Sequence, residues 1–276
     1  MRASRTLIMH LAAVIVLFSS FSFSQSTMRS SPGLPDCDVP VPTNSGVLGQ
    51  KDAPALTELG HHLAVVGPGP WGGIQATGKI TYAAQDATTY DATLSNLGVD
   101  RFRLDTQTKR GPMSIRIRHS FGEIQNDDGS MTFISPNTAA AGLFPFETAR
   151  AADVSPEFTS LVDHGLVAVG GVELHRITFE FALTGNSTAR SKPTTTTDLY
   201  FDPTSHLLVK TANSVDIPGT PRVKFLRVVT YSDYRKVGTT MIPFHYSETL
   251  DGQQYWMLQL SDVQLNPALS PTYFDF

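Results

Sequence analysis

The sequence predicts a mainly β (α+β) protein built on a large antiparallel sheet that is curled or closed on itself. Runs of alternating apolar and polar residues follow one another along the chain, as in strands with one buried face. Turn signals such as Asp128-Gly129 and Asp251-Gly252 separate some of these runs at hairpin spacing. Because only one segment has clear helical spacing, we expect a few helical pieces packed on one side of the sheet.

The first 24 residues predict export. Two arginines give a positive start, and residues 7–18 form an apolar run of 12 residues that is interrupted by one histidine. A run of this length suits the core of a signal peptide, whereas a membrane span needs about 20 residues. We therefore predict a signal peptide over residues 1–24, cleaved near Ser24, and a periplasmic protein. A retained membrane anchor is the alternative.

The segment before the folded body has the composition of a linker. Residues 25–51 are rich in Ser, Pro, Gly and Asn, which favours a loosely ordered arm. Cys37 is the only cysteine, so no internal disulfide can form and the fold must depend on core packing. The residues that precede it make a poor lipidation motif, which leaves lipidation as the less favoured alternative. Residues 52–276 are predicted to form a single domain.

The charge balance bears on the class of partner. The chain has 21 basic and 25 acidic residues, and residues 1–24 contain two arginines and no acidic residue. Without that segment the formal net charge falls from −4 to −6. An acidic chain argues against binding to nucleic acid. No later apolar stretch is long enough to cross a membrane, and we expect a monomer that is soluble once exported.

One helix is predicted at the start of the domain, with Asp52 as its cap and Pro54 in its first turn. The apolar residues at helical spacing are Leu56, Leu59, Leu63 and Val66. This stripe is expected to pack on the sheet or at the mouth of a cavity. The adjacent His61 and His62 point about 100° apart on a helix, so they cannot share a metal as an i, i+4 pair could. We interpret them as surface imidazoles.

Strand character recurs in 13 segments of the remaining chain, from which we expect about ten to twelve strands. The segments with strand character are residues 74–84, 88–94, 99–105, 113–118, 121–125, 131–135, 166–169, 172–183, 196–201, 207–213, 222–234, 241–250 and 254–264. The centre of 222–234 is apolar on both faces, which is typical of a strand that is covered on both sides. Residues 136–158 lack a two-residue period and predict short helices or an ordered loop.

No catalytic residue, metal site or cofactor is predicted. The chain has no Gly-x-Ser-x-Gly elbow, phosphate loop or dinucleotide fingerprint. The chain has one cysteine, and no pair of its histidines has the spacing of a metal motif. No metal site is therefore recognisable. Asp163-His164 could supply half of a nucleophilic triad, but no serine in a recognisable turn accompanies it. Asp127-Asp128-Gly129 lacks the other ligands of a calcium loop and is interpreted as a hairpin turn.

Four arginines are predicted to share one face of two neighbouring strands. They are Arg101, Arg103, Arg116 and Arg118. Two interpretations stay open. One is a solvated face that Asp100, Asp105 and Glu123 neutralise. The other is a docking patch for an anionic partner such as phospholipid headgroups, which would allow transient contact with a membrane surface.

The order of the predicted elements resembles that of a known family. The opening helix precedes a strand with Gly78-Lys79-Ile80-Thr81, and residues 128–133 form an Asp-Gly hairpin that leads into an aromatic-bearing strand. Residues 143–146 stand where central helices are expected, and residues 199–208 match a late hairpin. Over about residues 53–276 this order resembles the periplasmic outer-membrane lipoprotein carrier and receptor (LolA/LolB-like) superfamily.

The resemblance implies an incomplete, strongly curved antiparallel β-barrel, covered by the N-terminal helix and short central helices around an apolar cavity. The residues predicted to line the cavity are Leu63, Phe102, Leu104, Ile115, Phe133, Phe144 and Phe146. We expect the cavity to bind a lipid, a lipoprotein acyl chain or another hydrophobic ligand through buried apolar area, at about 25 cal/mol/Å². A protein-interaction or sensor module on the same scaffold is the alternative, and an enzyme is less favoured. Asn96-Leu97-Gly98 stands where the carrier proper has a basic residue that holds the lid.

Overall fold

A computed structural model of the chain describes residues 39–42, 49–67, 73–83, 87–98, 101–118, 121–134, 159–182, 194–216 and 223–275. The predicted signal peptide, Cys37 and the predicted central helices lie outside these ranges. None of the helices within them has the length and apolar character needed to cross a membrane.

The described residues form one α-helix, 13 strands and a short C-terminal 3₁₀ helix. The elements are α1 Ala53–Val66, β1 Ile74–Tyr82, β2 Thr89–Leu97, β3 Arg101–Gln107, β4 Pro112–Arg118, β5 Phe121–Gln125, β6 Met131–Ile134, β7 Thr159–Val169, β8 Val172–Ala182, β9 Thr194–Phe201, β10 Leu208–Asp216, β11 Lys224–Val237, β12 Thr240–Leu250 and β13 Gln253–Leu265, with the 3₁₀ helix at Pro271–Phe274.

All 13 strands belong to one antiparallel sheet, which the chain builds as two meanders. From β1 the chain runs out to β6 at one edge, and from β7 at the other edge it runs back to β13. Pairing of β1 with β13 joins the two meanders, with Ile80 opposite Leu258. Because β6 and β7 are the two ends of the strand order, the sheet is not closed. The predicted fold class, a mainly β protein with an incomplete antiparallel β-barrel, is confirmed.

Strand β7 begins seven residues earlier than the sequence predicted. Its register against β8 shifts between Asp163 and Gly165, and Gly165 has a φ of +66°. A bulge of this kind inserts one extra residue and breaks the apolar–polar alternation on which the prediction depended. Residues 159–163 therefore pair in the sheet although their pattern is out of phase with that of residues 165–169.

The two faces of the sheet bury different clusters. The inner face carries the large cluster, which includes Ile80, Leu104 and Ile177 and also receives α1. The outer face carries a smaller cluster. Its buried members are Val39, Val169, Leu174, Tyr200, Ala212 and Val228. Since neighbours along a strand point to opposite faces, Val228 and Val229 of β11 fall in different clusters. This confirms that the centre of the strand predicted at 222–234 is covered on both sides.

Two described parts of the predicted linker contact the sheet. Val39 is buried in the outer cluster. Lys51 forms a parallel bridge with Leu161 at the edge strand β7, where the Leu161 amide donates to the Gln50 carbonyl over 2.9 Å. These contacts bring the chain to the start of α1 along the β7 edge.

Helix α1 begins and ends as predicted, but the Asp52 side chain does not cap it. The Asp52 side chain makes no cap hydrogen bond. Its Oδ2 accepts the backbone N–H of Asp163 over 2.9 Å, which ties the helix start to β7. At the other end the Gly67 amide donates to the Leu63 carbonyl, and Gly67 has a φ of +90°. A Cβ there would lie 2.4 Å from the Thr239 carbonyl oxygen, so only glycine fits.

The buried face of α1 is rotated from the predicted leucine stripe. Its buried residues are Ala55, Glu58, Leu59, His62 and Val66. Leu56 is exposed, and Leu63 is partly buried against the inner cluster. His62 is fully buried, so its interpretation as a surface imidazole was wrong. Positions 55, 59, 62 and 66 also recur at helical spacing. Because Glu58 and His62 are polar, the apolar pattern alone does not indicate this face.

Candidate functional site

The inner face brings together four of the predicted cavity residues. Phe102 and Leu104 of β3 are buried in the inner cluster, and Leu63 and Ile115 are partly buried against it. Phe133 does not join them. Phe144 and Phe146 lie outside the described residues.

The prediction for Phe133 was wrong because it chose the wrong face of β6. Phe133 pairs with Glu123, whereas Ile134 pairs with Gly122 and packs against the inner cluster. Phe133 is 78% exposed on the outer face. Strand β6 has only four residues, three of them apolar, so alternation alone could not show which face is buried.

Helix α1 spans only part of the inner face. It packs on β7 and β12, and its 14 residues give it a length of about 21 Å. Thirteen strands about 4.8 Å apart make a much wider surface. Toward the β6 edge the inner face carries three partly buried isoleucines, Ile115, Ile124 and Ile134. These side chains leave part of their apolar surface uncovered on the described inner face.

One buried ion pair lies on the inner face among apolar residues. Arg227 Nε donates to Glu248 Oε2 over 2.8 Å, and both side chains are almost fully buried. The Glu248 carboxylate also accepts a hydrogen bond from Trp256. Burial raises the pKa of Glu248, while Arg227 and Trp256 oppose that rise. No nucleophile is hydrogen-bonded to this carboxylate among the contacts of the described residues, and the pair has the character of a structural element.

The four predicted arginines do share one face. Arg101 lies opposite Arg118, and Arg103 lies opposite Arg116, across β3 and β4 on the outer face. Three of them have acidic partners: Arg103 pairs with Asp105 on its own strand, Arg116 with Glu123, and Arg118 with Asp275. The neutralised-face interpretation named Asp105 and Glu123 correctly; Asp100 lies outside the described residues.

The chain's own C-terminal segment covers this arginine face. We call residues 271–275 the C-terminal strap. Arg118 Nη1 lies 2.6 Å from the Asp275 carboxylate, and Arg116 Nη1 donates to the Asp275 backbone carbonyl. Arg103 donates to the Tyr273 carbonyl and stacks over the Tyr273 ring at 4.3 Å. Within the strap, the side chain of Phe274 is fully buried. The predicted anionic docking patch is thus occupied by an anionic segment of the same chain.

Exposed apolar side chains stand beside the arginine face. Phe121 lies opposite Arg118 across β4 and β5 and is 65% exposed. Phe133 and Met131 of β6 are exposed on the same outer face. This arrangement was not predicted from the sequence, because Phe133 was assigned to the inner face.

A second cluster gathers histidines around one buried carboxylate. Glu58 of α1 has only 6% of its side chain exposed. Its Oε1 lies 2.9 Å from His206 Nδ1, and its Oε2 lies 3.5 Å from His175 Nδ1 and 3.9 Å from His61 Nδ1. The His61 and His206 rings are 4.6 Å apart. Glu58, His61 and His206 place one ligand atom each within 4.8 Å of the others.

Three elements of the fold position this Glu58–histidine cluster. Glu58 and His61 are three residues apart on α1 and therefore share one side of the helix. His175 comes from β8, and His206 from the turn between β9 and β10, where it adopts a φ of +55°. His62 Nδ1 donates to the His206 carbonyl over 2.8 Å and so holds the turn against α1. Burial lowers the pKa of His62, which keeps its ring neutral.

This cluster was not predicted from the sequence, because His61 and His62 were considered only as a pair. The available signal was Glu58-Leu59-Gly60-His61, a Glu-x-x-His spacing that metal-binding helical proteins use. The contribution of His206 was not visible, because residues 58 and 206 meet only where α1 crosses the sheet.

Asp163 and His164 do not form half of a triad with each other. His175 Nε2 lies 2.5 Å from Asp163 Oδ1. His164 instead contacts the Thr178 hydroxyl over 2.7 Å, and that hydroxyl donates to the buried Asp198 carboxylate. Neighbouring residues of a strand point to opposite faces of the sheet, so these two adjacent side chains have different partners.

The chain resembles known proteins in structure but not in sequence. No family model matches the sequence, and no curated protein matches it. A domain from Vibrio parahaemolyticus assigned to outer membrane lipoprotein sorting aligns with a TM-score of 0.51 and 13% identity, covering 80% of this chain and 96% of that domain. A LolA superfamily protein from Nitrosomonas europaea gives a TM-score of 0.49 and 13% identity over 80% and 97% of the two chains.

A DUF1329 family protein from Desulfovibrio piger gives a TM-score of 0.48 and 9% identity over 81% of this chain and 98% of that chain. At such identities structural likeness shows the fold alone, and function has to be argued from the site. With an open antiparallel sheet of 13 strands and one helix packed on its inner face, the chain has a LolA-like fold.

Proposed function

We propose that the protein binds a lipid, a lipoprotein acyl chain or another hydrophobic ligand on the inner face of its sheet. The observation that carries the proposal is the large hydrophobic cluster of that face, against which Ile115, Ile124 and Ile134 near the β6 edge pack while staying partly exposed. A fold shared with a lipoprotein-sorting domain is consistent with this use. The proposed role is binding, and it assigns no catalytic residue.

The physical basis of such binding is the removal of apolar surface from water. Each buried methylene of a ligand contributes about 0.8 kcal/mol, so affinity should rise with acyl chain length. Apolar side chains distinguish poorly between ligands that differ only in a distant headgroup. We therefore propose selectivity for chain length over headgroup.

Location and membrane contact form the second part of the proposal. The predicted signal peptide supports export to the periplasm, where hydrophobic cargo must cross an aqueous space between membranes. The arginine face, with Phe121 and Phe133 exposed beside it, has the basic and aromatic character that suits brief contact with anionic headgroups. Such contact requires the C-terminal strap to release Arg116 and Arg118.

The proposal is tested by mass spectrometry under native conditions on protein purified from the periplasm of its own host. Co-purification of acyl lipid is the expected result. A clean apo species in repeated preparations would contradict lipid binding and would favour the protein-interaction or sensor alternative on the same scaffold.

A pair of variants tests whether the ligand binds on the inner face. Ile124→Ala removes three carbons from the inner face. Because Ile124 would contact a bound acyl chain with only part of its surface, the change should weaken the affinity for a fluorescent fatty acid about 5-fold. Met131→Ala is the matched control, because Met131 is an exposed apolar residue on the outer face of the adjacent strand. Equal loss in both variants would refute binding on the inner face.

A further inference from the structure

We propose that Glu58, His61 and His206 form a binding site for one divalent transition-metal ion, with zinc as the best match. One carboxylate oxygen and two imidazole nitrogens lie within 4.8 Å of one another where α1 crosses the β9–β10 turn. This site is separate from the apolar surface proposed to bind a hydrophobic ligand, and it does not depend on that proposal.

The three ligand groups are close enough to be drawn into tetrahedral coordination. Ligand atoms at about 2.0–2.1 Å from zinc in a tetrahedron lie about 3.3–3.4 Å from each other. Glu58 Oε1 is 2.9 Å from His206 Nδ1, and Glu58 Oε2 is 3.9 Å from His61 Nδ1. These separations involve different oxygens of the carboxylate, and one ligand atom from each of the three residues lies within 4.8 Å of the others. Binding of an ion would therefore draw the three side chains closer together.

The donor set selects the class of metal. Two imidazoles and one carboxylate form a three-residue set known from zinc sites that keep a fourth position open. Magnesium and calcium prefer a shell made of oxygen atoms, so the two histidines disfavour them. The set therefore favours zinc or a similar transition metal, with water or an external ligand in the remaining position.

A supporting group holds the carboxylate in place. His175 places Nδ1 3.5 Å from Glu58 Oε2, and its Nε2 lies 2.5 Å from Asp163 Oδ1. A carboxylate–histidine pair behind a metal ligand orients that ligand, and its loss commonly lowers metal affinity 10- to 100-fold. Asp163 and His175 are positioning residues for Glu58.

The site is open on one side. The side chains of His61 and His206 are 54% and 30% exposed, while that of Glu58 is 6% exposed. An ion can therefore enter from solvent past the two imidazoles and reach a carboxylate held at the base of the site. Once bound, it would link α1 to the turn that carries His206.

The test is a zinc titration of the full chain, produced without a polyhistidine tag, in competition with a chromogenic chelator. We expect one ion per chain. His61→Ala and His206→Ala should each lower the affinity at least about 10-fold, and His175→Ala should lower it about 10-fold through the position of Glu58. Cobalt(II) in place of zinc should give the intense visible absorption of tetrahedral coordination, which a purely structural Glu58–His206 hydrogen bond would not produce.

The matched control is His245→Ala. His245 lies on the outer face of β12, where its ring contacts the Ser232 hydroxyl, and it should leave zinc affinity unchanged. Because His61 is half exposed, its replacement should leave the fold intact, which far-UV circular dichroism checks. Failure of the unaltered chain to bind zinc would overturn the proposal. So would zinc affinity that is the same in the His61, His206 and His245 variants.

Discussion

Arg227 and Glu248 put two charges inside an apolar face, and their replacement gives a demanding test of the packing described above. The perturbation is a cycle of three variants: Arg227→Met, Glu248→Leu and the double change. Each replacement keeps a similar side-chain volume and removes the charge. Arg227 Nε and Glu248 Oε2 are 2.8 Å apart, and the side chains are 7% and 6% exposed.

The magnitude follows from that burial. Removing one member of a buried pair leaves an uncompensated charge in the interior and costs about 3–5 kcal/mol, so each single variant should lose about that much stability. The double variant leaves no charge, and replacement of a buried pair by apolar groups is commonly neutral or stabilising. We therefore expect the double variant to lie within about 1 kcal/mol of the unaltered chain. The coupling energy is then at least about 5 kcal/mol.

The pH dependence of Arg227→Met sharpens the test. Burial raises the pKa of Glu248 in the folded chain, and Arg227 opposes that rise. A carboxyl whose folded pKa lies above its unfolded value binds more protons when folded, so its stability contribution is present at low pH and is lost as the pH rises through the folded pKa. Without Arg227, burial raises the pKa of Glu248 further. The cost of Arg227→Met should therefore be smaller in mild acid than at pH 7.

Urea unfolding of the four proteins measures these values, followed by far-UV circular dichroism and by tryptophan fluorescence. Trp256 is a useful reporter because its side chain bonds to Glu248. Single variants that each lose less than about 1 kcal/mol would show that the charges are solvated and would refute the buried pair. A double variant whose loss equals the sum of the two single losses would refute their coupling.

Two further predictions concern the helix and the strap. Gly67→Ala should cost about 2–4 kcal/mol, because alanine is strained at a φ of +90° and its Cβ would meet the Thr239 carbonyl oxygen. Gly60→Ala in the same helix meets nothing within 4 Å and should instead stabilise by about 0.5–1 kcal/mol, both measured by urea unfolding. Asp275→Asn removes the anionic partner of Arg118, so it should increase co-sedimentation with anionic phospholipid vesicles at low salt, and unchanged binding would contradict a masking role for the strap.

The sheet was predictable because its signal is local. Alternation in β3 placed Phe102 and Leu104 on the buried face and the arginines on the other, as the structure confirms. The same signal failed in β6, where four residues carry too little pattern, and at the bulge in β7, where an extra residue changes the phase. The helix was found from its apolar spacing and end signals, but its rotation depends on what it packs against.

The sequence by itself determined the elements, their antiparallel character and the arginine stripe, because each depends on residues that are close in the chain. Only the tertiary structure decided which groups meet from distant segments. Glu58 reaches His206 across 148 positions, and Arg118 reaches Asp275 across 157. Such pairs form where α1 crosses the sheet and where the C-terminal strap lies on it, and no local periodicity records those crossings. For this reason the Glu58–histidine cluster and the covered arginine face appear only in the folded chain.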